Sequence, residues 1–434
     1  MLLVRSLFFF VFLLPGCAAQ QTQHRSLTIL HLNDLHARLL PDSEHRGGFA
    51  HVTEAIRQER AKSEFSLVMH GGDLVQGTPV STIFEGVPVY EVANTLGLDF
   101  HTLGNHEFDY GWRKISEFVA EAEFPTLNAN VVDAEGNLLV PKPYLIRQIN
   151  GIRVGVIGIL TADLVDLTKA PLRGPWRALP VTETVSRYVD EIENRADLIV
   201  VLSHMFPREE DEVLRQNLRV PLIIGGHHHG GQDEVKSFEG RICVKTRPYG
   251  RELGRLDIEF DLESKRIISH QWKRIPIDSR KYPADKATAK LVEKWEAKVS
   301  EVVDVPIGRA ERKISRGELK PLIEQAMAEA VQADFGYMNR GGIRDELPTG
   351  QLLARHVWNV LPFGNLISVG QIRGTQLPAE LTNGRNVDPN RLYRVATNDF
   401  VGGKWRELGL PFSEDEKLVR DVMIEWIKNQ KVIR

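Results

Sequence analysis

The chain has 434 residues, room for two or three domains of ordinary size, and its 42% hydrophobic fraction suits a protein with a real buried core. Lys and Arg number 55 against 58 Asp and Glu, a net charge of −3, so nothing in the charge balance calls for a nucleic acid polymer as partner. Only Cys17 and Cys243 exist, which leaves an exported, processed chain without an internal disulfide.

The first element is a targeting segment, residues 1–19. One Arg precedes an apolar run from Leu7 to Leu14, too short to span a bilayer, and small residues follow. The stretch LLPGC resembles a bacterial lipobox, with the signal ending at Gly16 and Cys17 lipidated; the other reading is cleavage after Ala19 with no lipid. Both predict an exported protein, in the periplasm or on the outer membrane as a lipoprotein.

From Leu27 to about Asp278, short runs rich in Val, Ile and Leu alternate with amphipathic stretches. LTILHL, SLVMH, FHTLG, VGVIGIL, LIVVLSH and PLIIGG read as strands, AHVTEAIRQERAK and TETVSRYVDEIENRA as helices. The alternation predicts an α/β domain over 27–280. GRLDIEF and IISHQWKRIPI follow without an intervening helix and predict an antiparallel end to the sheets. Residues 284–304, bracketed by Pro283 and Pro306, carry apolar residues at helical spacing and predict a connecting helix within a 281–305 linker. Residues 306–434 then form a smaller second domain. Cys243, in the strand-like RICVKT, is expected to be buried and inert.

Each strand candidate is followed by a donor side chain. NDLHAR brings Asp34 and His36, GGDLVQG brings Asp73, and FHTLG leads into Asn105 and His106. LIVVLSH ends at His204, and PLIIGG runs into His227, His228 and His229. Ligands of open α/β sheets collect at the carboxyl ends of strands, so residues spread over nearly two hundred positions can converge. A lone strand-end His or Asp is usually a cap or a solvated loop residue; a series in the same context is not. Imidazole and carboxylate donors suit hard or borderline divalent metals. Extended backbone would put Asp34 and His36 on one side, and likewise His227 and His229, with His228 pointing away. The set exceeds the needs of one tetrahedral ion and suits two ions roughly 3.5–4 Å apart, with Asp73 as the shared carboxylate.

In that order, NDLHAR, GGDLVQG, LGNHEFD, LSH and GGHHHG resemble the 5′-nucleotidase family of the calcineurin-like metallophosphoesterases. The resemblance implies a four-layer αββα sandwich followed by a smaller α+β substrate-binding domain. It implies one ion held by Asp34, His36, Asp73 and His229, and a second by Asp73, Asn105, His204 and His227, the metals being Zn, Mn, Co or Fe. It makes His106 and Asp109 a catalytic pair and implies hydrolysis of nucleoside 5′-monophosphates by a metal-bound hydroxide. In the second domain, YMNRGGIRDELPTG, VLPFGN and YRVATNDF resemble the family's substrate module. Arg344 then matches a phosphate contact, Phe363 and Phe400 the two aromatics around a nucleobase, and Asn365 a base contact. Lys313, with Arg309 close by, stands where the family has a phosphate-binding Arg. Only 36 residues separate Phe363 from Phe400, and Lys404 stands where an Asp would hold the ribose hydroxyls. These departures keep other substrates in view: nucleotide sugars, cyclic nucleotides, other phosphoesters, or none at all in an idle, metal-stabilised binding protein.

Overall fold

The computed structural model describes residues 23–382 and 386–434. The expected signal and Cys17 lie outside the described residues. Two six-stranded sheets form the first unit. In the first, His24–Leu32, Ser66–His70, Phe100–Thr102 and Thr126–Leu127 run parallel, and Glu252–Asp261 and Arg266–Pro276 add the antiparallel edge. In the second, Ile152–Leu160, Leu198–His204, Leu222–Ile224 and Arg241–Val244 run parallel, flanked by the antiparallel Tyr144–Ile149 and Lys236–Phe238.

The sheets face each other through an apolar layer of Ile29, Leu67, Met69 and Phe100 against Val154, Val200, Leu222 and Ile242. Each such fully buried side chain contributes about 1.5–3 kcal/mol relative to exposure. Helices cover both outer faces. Phe49–Arg60 buries Phe49, Val52, Ala55 and Ile56 on the first sheet; Val181–Ile192 buries Val185, Tyr188, Val189 and Ile192 on the second. Strand Leu198–His204 is buried at every position, which explains its unbroken apolar run: a strand covered on both faces needs no polar side. The result is the expected αββα sandwich.

The helix expected over 284–304 spans Lys286–Val303, with the Asp285 side chain accepting from the Thr288 backbone N–H at 2.9 Å. It is more than a connector. Val292, Val299 and Val303 fill the core beside Val52, Ile56 and Val89, and the Trp295 indole donates to Glu91 at 2.8 Å. Beyond it, a three-stranded and a four-stranded sheet pack with helices Arg316–Ala330 and Val419–Gln430 into a smaller α+β unit. Cys243 is buried in Arg241–Val244, and burial followed by the Glu210 charge raises its thiol pKa. Among the described residues, no helix is long and apolar enough to cross a membrane.

Candidate metal centre

The parallel strands of both sheets end at one edge, and the donor residues sit in the loops just beyond. The expectation of extended backbone at Asp34-x-His36 and His227-x-His229 is not met. Asp34, His36, Asp73 and His227 have φ of 52°, 49°, 57° and 68°, in the left-handed region. A short polar side chain tolerates that region best, and sharp turns here fold the loops back over the strand ends. Gly104 is required by close approach: a Cβ there would collide with the Asp73 side chain and backbone.

Two donor groups result. In one, Asp34 Oδ1 lies 3.9 Å from His36 Nε2 and 3.3 Å from His229 Nε2, and the two imidazole nitrogens are 3.1 Å apart. In the other, His204 Nε2 lies 3.1 Å from Asp73 Oδ2, 3.2 Å from Asn105 Oδ1 and 3.2 Å from His227 Nδ1. Asp73 Oδ2 is also 3.7 Å from His36 Nε2, so its carboxylate stands between the groups. His227 and His229 therefore serve different groups rather than one side, and His228 is exposed.

These distances bring together groups that could hold a cation. The Nδ1–H of His36 donates to the Gln76 carbonyl at 3.2 Å and that of His204 to the Gly71 carbonyl at 2.7 Å. Both rings thus turn Nε2 inward. Asp34 Oδ1 is buried and makes no hydrogen bond among the described residues. Burial lowers the His204 pKa, yet the Asp73 carboxylate outweighs it and raises the value to about 9. Burial, then the His204 charge, lowers the His227 pKa to about 3 and keeps that imidazole neutral. The donor set of buried carboxylates, an amide and imidazoles fits divalent metals.

Glu107 holds the loops in place. Fully buried, it accepts from the backbone N–H groups of Asp73 at 3.2 Å, Leu74 at 2.8 Å and Gly104 at 2.5 Å. His106–Phe108 form one 3-10 turn, whose three-residue period sets Asp109 over His106; the Nδ1–H of His106 donates to Asp109 Oδ2 at 2.7 Å. Burial opposes the charged form of His106, but Asp109 and Asp73 prevail and raise its pKa above 6.5.

The second unit closes the other side of a cavity of about 350 Å³, lined by Asp73, Asn105, His106, Asp109, His227 and His229 below and by Arg344, Phe363, Asn365 and Phe400 above. That volume lies near the low end of small-molecule pockets, about 300–1,000 Å³. The Arg344 guanidinium donates to His36 Nε2 at 3.1 Å, and the Phe363 ring stacks on His106 with centroids 5.5 Å apart. Asn365 Oδ1 is buried without a partner among the described residues. Arg309 and Lys313 are not brought to the cavity. Arg309 is exposed on strand Pro306–Ala310, and Lys313 pairs with Glu346 at 2.5 Å in a neighbouring groove. Lys404 is exposed, its ammonium 4.6 Å from the Phe400 ring centroid, and does not line the cavity. Lys169 and Leu167 line it although no motif in the sequence marks them, and Asn339, within YMNRGGIRDELPTG, lines it as well.

Residues 27–231 match the calcineurin-like phosphoesterase family, and residues 298–382 match the 5′-nucleotidase C-terminal domain. The chain is 23% identical to endonuclease YhcR of Bacillus subtilis, an alignment covering 94% of this chain but 40% of that longer protein. It is 26% identical to a 5′-nucleotidase of Vibrio vulnificus, covering 84% of this chain and 77% of the relative. The crystal structure of a 5′-nucleotidase precursor from Thermus thermophilus shares the fold, with a TM-score of 0.85 at 22% identity over 94% of this chain and 97% of that one.

Proposed function

We propose that this chain, a metal-dependent phosphoric ester hydrolase that belongs to the 5′-nucleotidase family of the calcineurin-like metallophosphoesterases, uses two divalent ions and releases phosphate from nucleoside 5′-monophosphates. The observation that carries this reading is Asp73, whose carboxylate stands between two donor groups while Arg344, Phe363 and Phe400 face them across one cavity. Asp34, His36, Asp73 and His229 would hold one ion, and Asp73, Asn105, His204 and His227 the other. When bound, such ions supply Lewis acidity and an activated water; the donor set accepts Zn, Mn, Co or Fe.

The chain's own groups do the rest. Arg344 presents a planar fork of donors suited to phosphoryl oxygens. His106, kept protonated at Nδ1 by Asp109 and favoured in its charged form, offers an Nε2 proton to the oxygen that leaves with the nucleoside. Phe363 and Phe400 offer faces to a base, and the buried Asn365 Oδ1, without a partner among the described residues, offers an acceptor to an amino or imino hydrogen on its edge. We take residues 27–280 as the catalytic domain, 281–305 as the linker helix and 306–434 as the substrate domain. Residues 1–19 argue for export, with lipidation at Cys17.

The test is a substrate panel at fixed metal concentration, paired with elemental analysis. The reading expects two equivalents of metal per chain and faster turnover of AMP, UMP or GMP than of non-nucleotide phosphoesters. Faster turnover of a nucleotide sugar, a cyclic nucleotide or a simple phosphoester would remove the substrate assignment. Failure to take up more than one equivalent would remove the two-ion site.

A further inference from the structure

Lys169 reaches the cavity from the catalytic side, and none of the metal or phosphate chemistry uses it. Its ammonium donates to the Phe363 carbonyl at 3.1 Å and to Asp399 Oδ2 at 3.3 Å. Asp399 immediately precedes Phe400 and opens the helix Asp399–Glu407 that carries it. One cation therefore touches the segments bearing both aromatic side chains of the substrate wall. The same loop grips the far end of that helix: Arg173 pairs with Glu407 at 2.7 Å. The loop is itself braced, since the Thr168 hydroxyl donates to the Leu164 carbonyl at 2.9 Å and Arg173 Nε to the Thr168 carbonyl at 3.0 Å. Next to Phe363, the Thr82 hydroxyl donates to the Pro362 carbonyl at 2.9 Å, a second hold from the catalytic side on that backbone.

Resting on the nucleotide reading above, we infer that Lys169 is a positioning residue for base recognition, clamping the Phe363 and Phe400 segments so that the gap between the two rings suits a planar base. The Lys169–Asp399 pair is mostly shielded, with side chains 20% and 13% exposed, so solvent screens it less than a surface pair. The ammonium comes from the catalytic unit and its acceptors from the substrate unit. Hence the ring spacing is set only while the two units are docked, and selection for a base is coupled to delivery of its phosphate to the ions. A free ammonium contacting the phosphoryl group would behave differently: it would act on every phosphoester alike.

The experiment compares Lys169→Met and Lys169→Arg with the wild-type metal-loaded enzyme, using AMP and glycerol 2-phosphate. Lys169→Met is expected to raise KM for AMP about ten- to a hundredfold, the loss of one base–aromatic stack, with kcat changed far less. The effect on glycerol 2-phosphate, which has no ring to stack, should be at least tenfold smaller, and Lys169→Arg should recover most of the AMP loss. Hydrogen exchange without substrate gives an independent readout: backbone amides of 363–365 and 399–407 should exchange faster in Lys169→Met. Equal losses on both substrates, or unchanged exchange in both segments, overturns the inference. A wild-type enzyme that does not favour AMP over glycerol 2-phosphate sinks the nucleotide reading instead, and the exchange result still decides whether the clamp exists.

Discussion

On the sheet side of the cavity, several inward-facing groups are held from behind. His36 leans on the Gln76 carbonyl, His204 on the Gly71 carbonyl, His106 on Asp109, and the Asp73 loop on Glu107. On the opposite side, Asn365 Oδ1 and Asp399 Oδ1 are buried without partners among the described residues, and Lys404 rests over the outside of Phe400. The sheet wall is braced from behind and leaves Asp34 Oδ1 open to a cation, while the other wall keeps Asn365 Oδ1 open to a donor on a ligand. The difference separates chemistry, which needs fixed donors, from selection, which needs groups that lose energy when the wrong ligand leaves them unpaired.

Removing the shared carboxylate should break the sheet wall outright. Asp73→Ala takes a donor from both groups, and kcat/KM should fall by about four orders of magnitude, the several kcal/mol that bound ions supply, with metal content dropping in elemental analysis. Turnover within tenfold of wild type would contradict the shared role. His106→Asn should lower kcat by about a hundred- to a thousandfold while the metal content stays the same, which separates proton donation from metal binding. Glu107→Ala leaves four buried backbone N–H groups, those of Asp73, Leu74, Val75 and Gly104, short of an acceptor, each costing about 1–3 kcal/mol, so thermal unfolding should come at a clearly lower temperature. Metal affinity, read by titration calorimetry, should also weaken about ten- to a hundredfold. On the opposite wall, Phe400→Ala should leave metal content and stability near wild type and raise KM for AMP by about 1–3 kcal/mol in binding terms. The smallest effect belongs to Cys243. Its raised pKa keeps it a thiol through pH 8–9, where an ordinary cysteine near 8.5 ionises, so mass spectrometry should find no alkylation until the chain is unfolded.

The strands and the donors at their ends were legible because a strand buried on both faces must be apolar throughout, and the side chains that break that run announce the loop. SLVMH and LIVVLSH coincide with strands Ser66–His70 and Leu198–His204 for this reason. The backbone at Asp34 and His36 was not legible, since an extended and a left-handed dipeptide carry the same letters. Lys169 was invisible for another reason: its partners lie 194 and 230 positions away, and nothing in LTKAPL distinguishes it from a solvated loop lysine. Arg309 and Lys313 show the opposite error. Their charge and motif context suggested phosphate binding, but strand Pro306–Ala310 pairs into a sheet away from the cavity.

The docked helix Lys286–Val303 decides where the chain can be recombined. A chimera joined at residue 281 would pull Val292, Val299 and Val303 out of the hydrophobic layer they complete with Val52, Ile56 and Val89. The seam for exchanging one substrate module for another lies between Asp304 and Pro306, where the helix has ended and the first strand of the second unit begins.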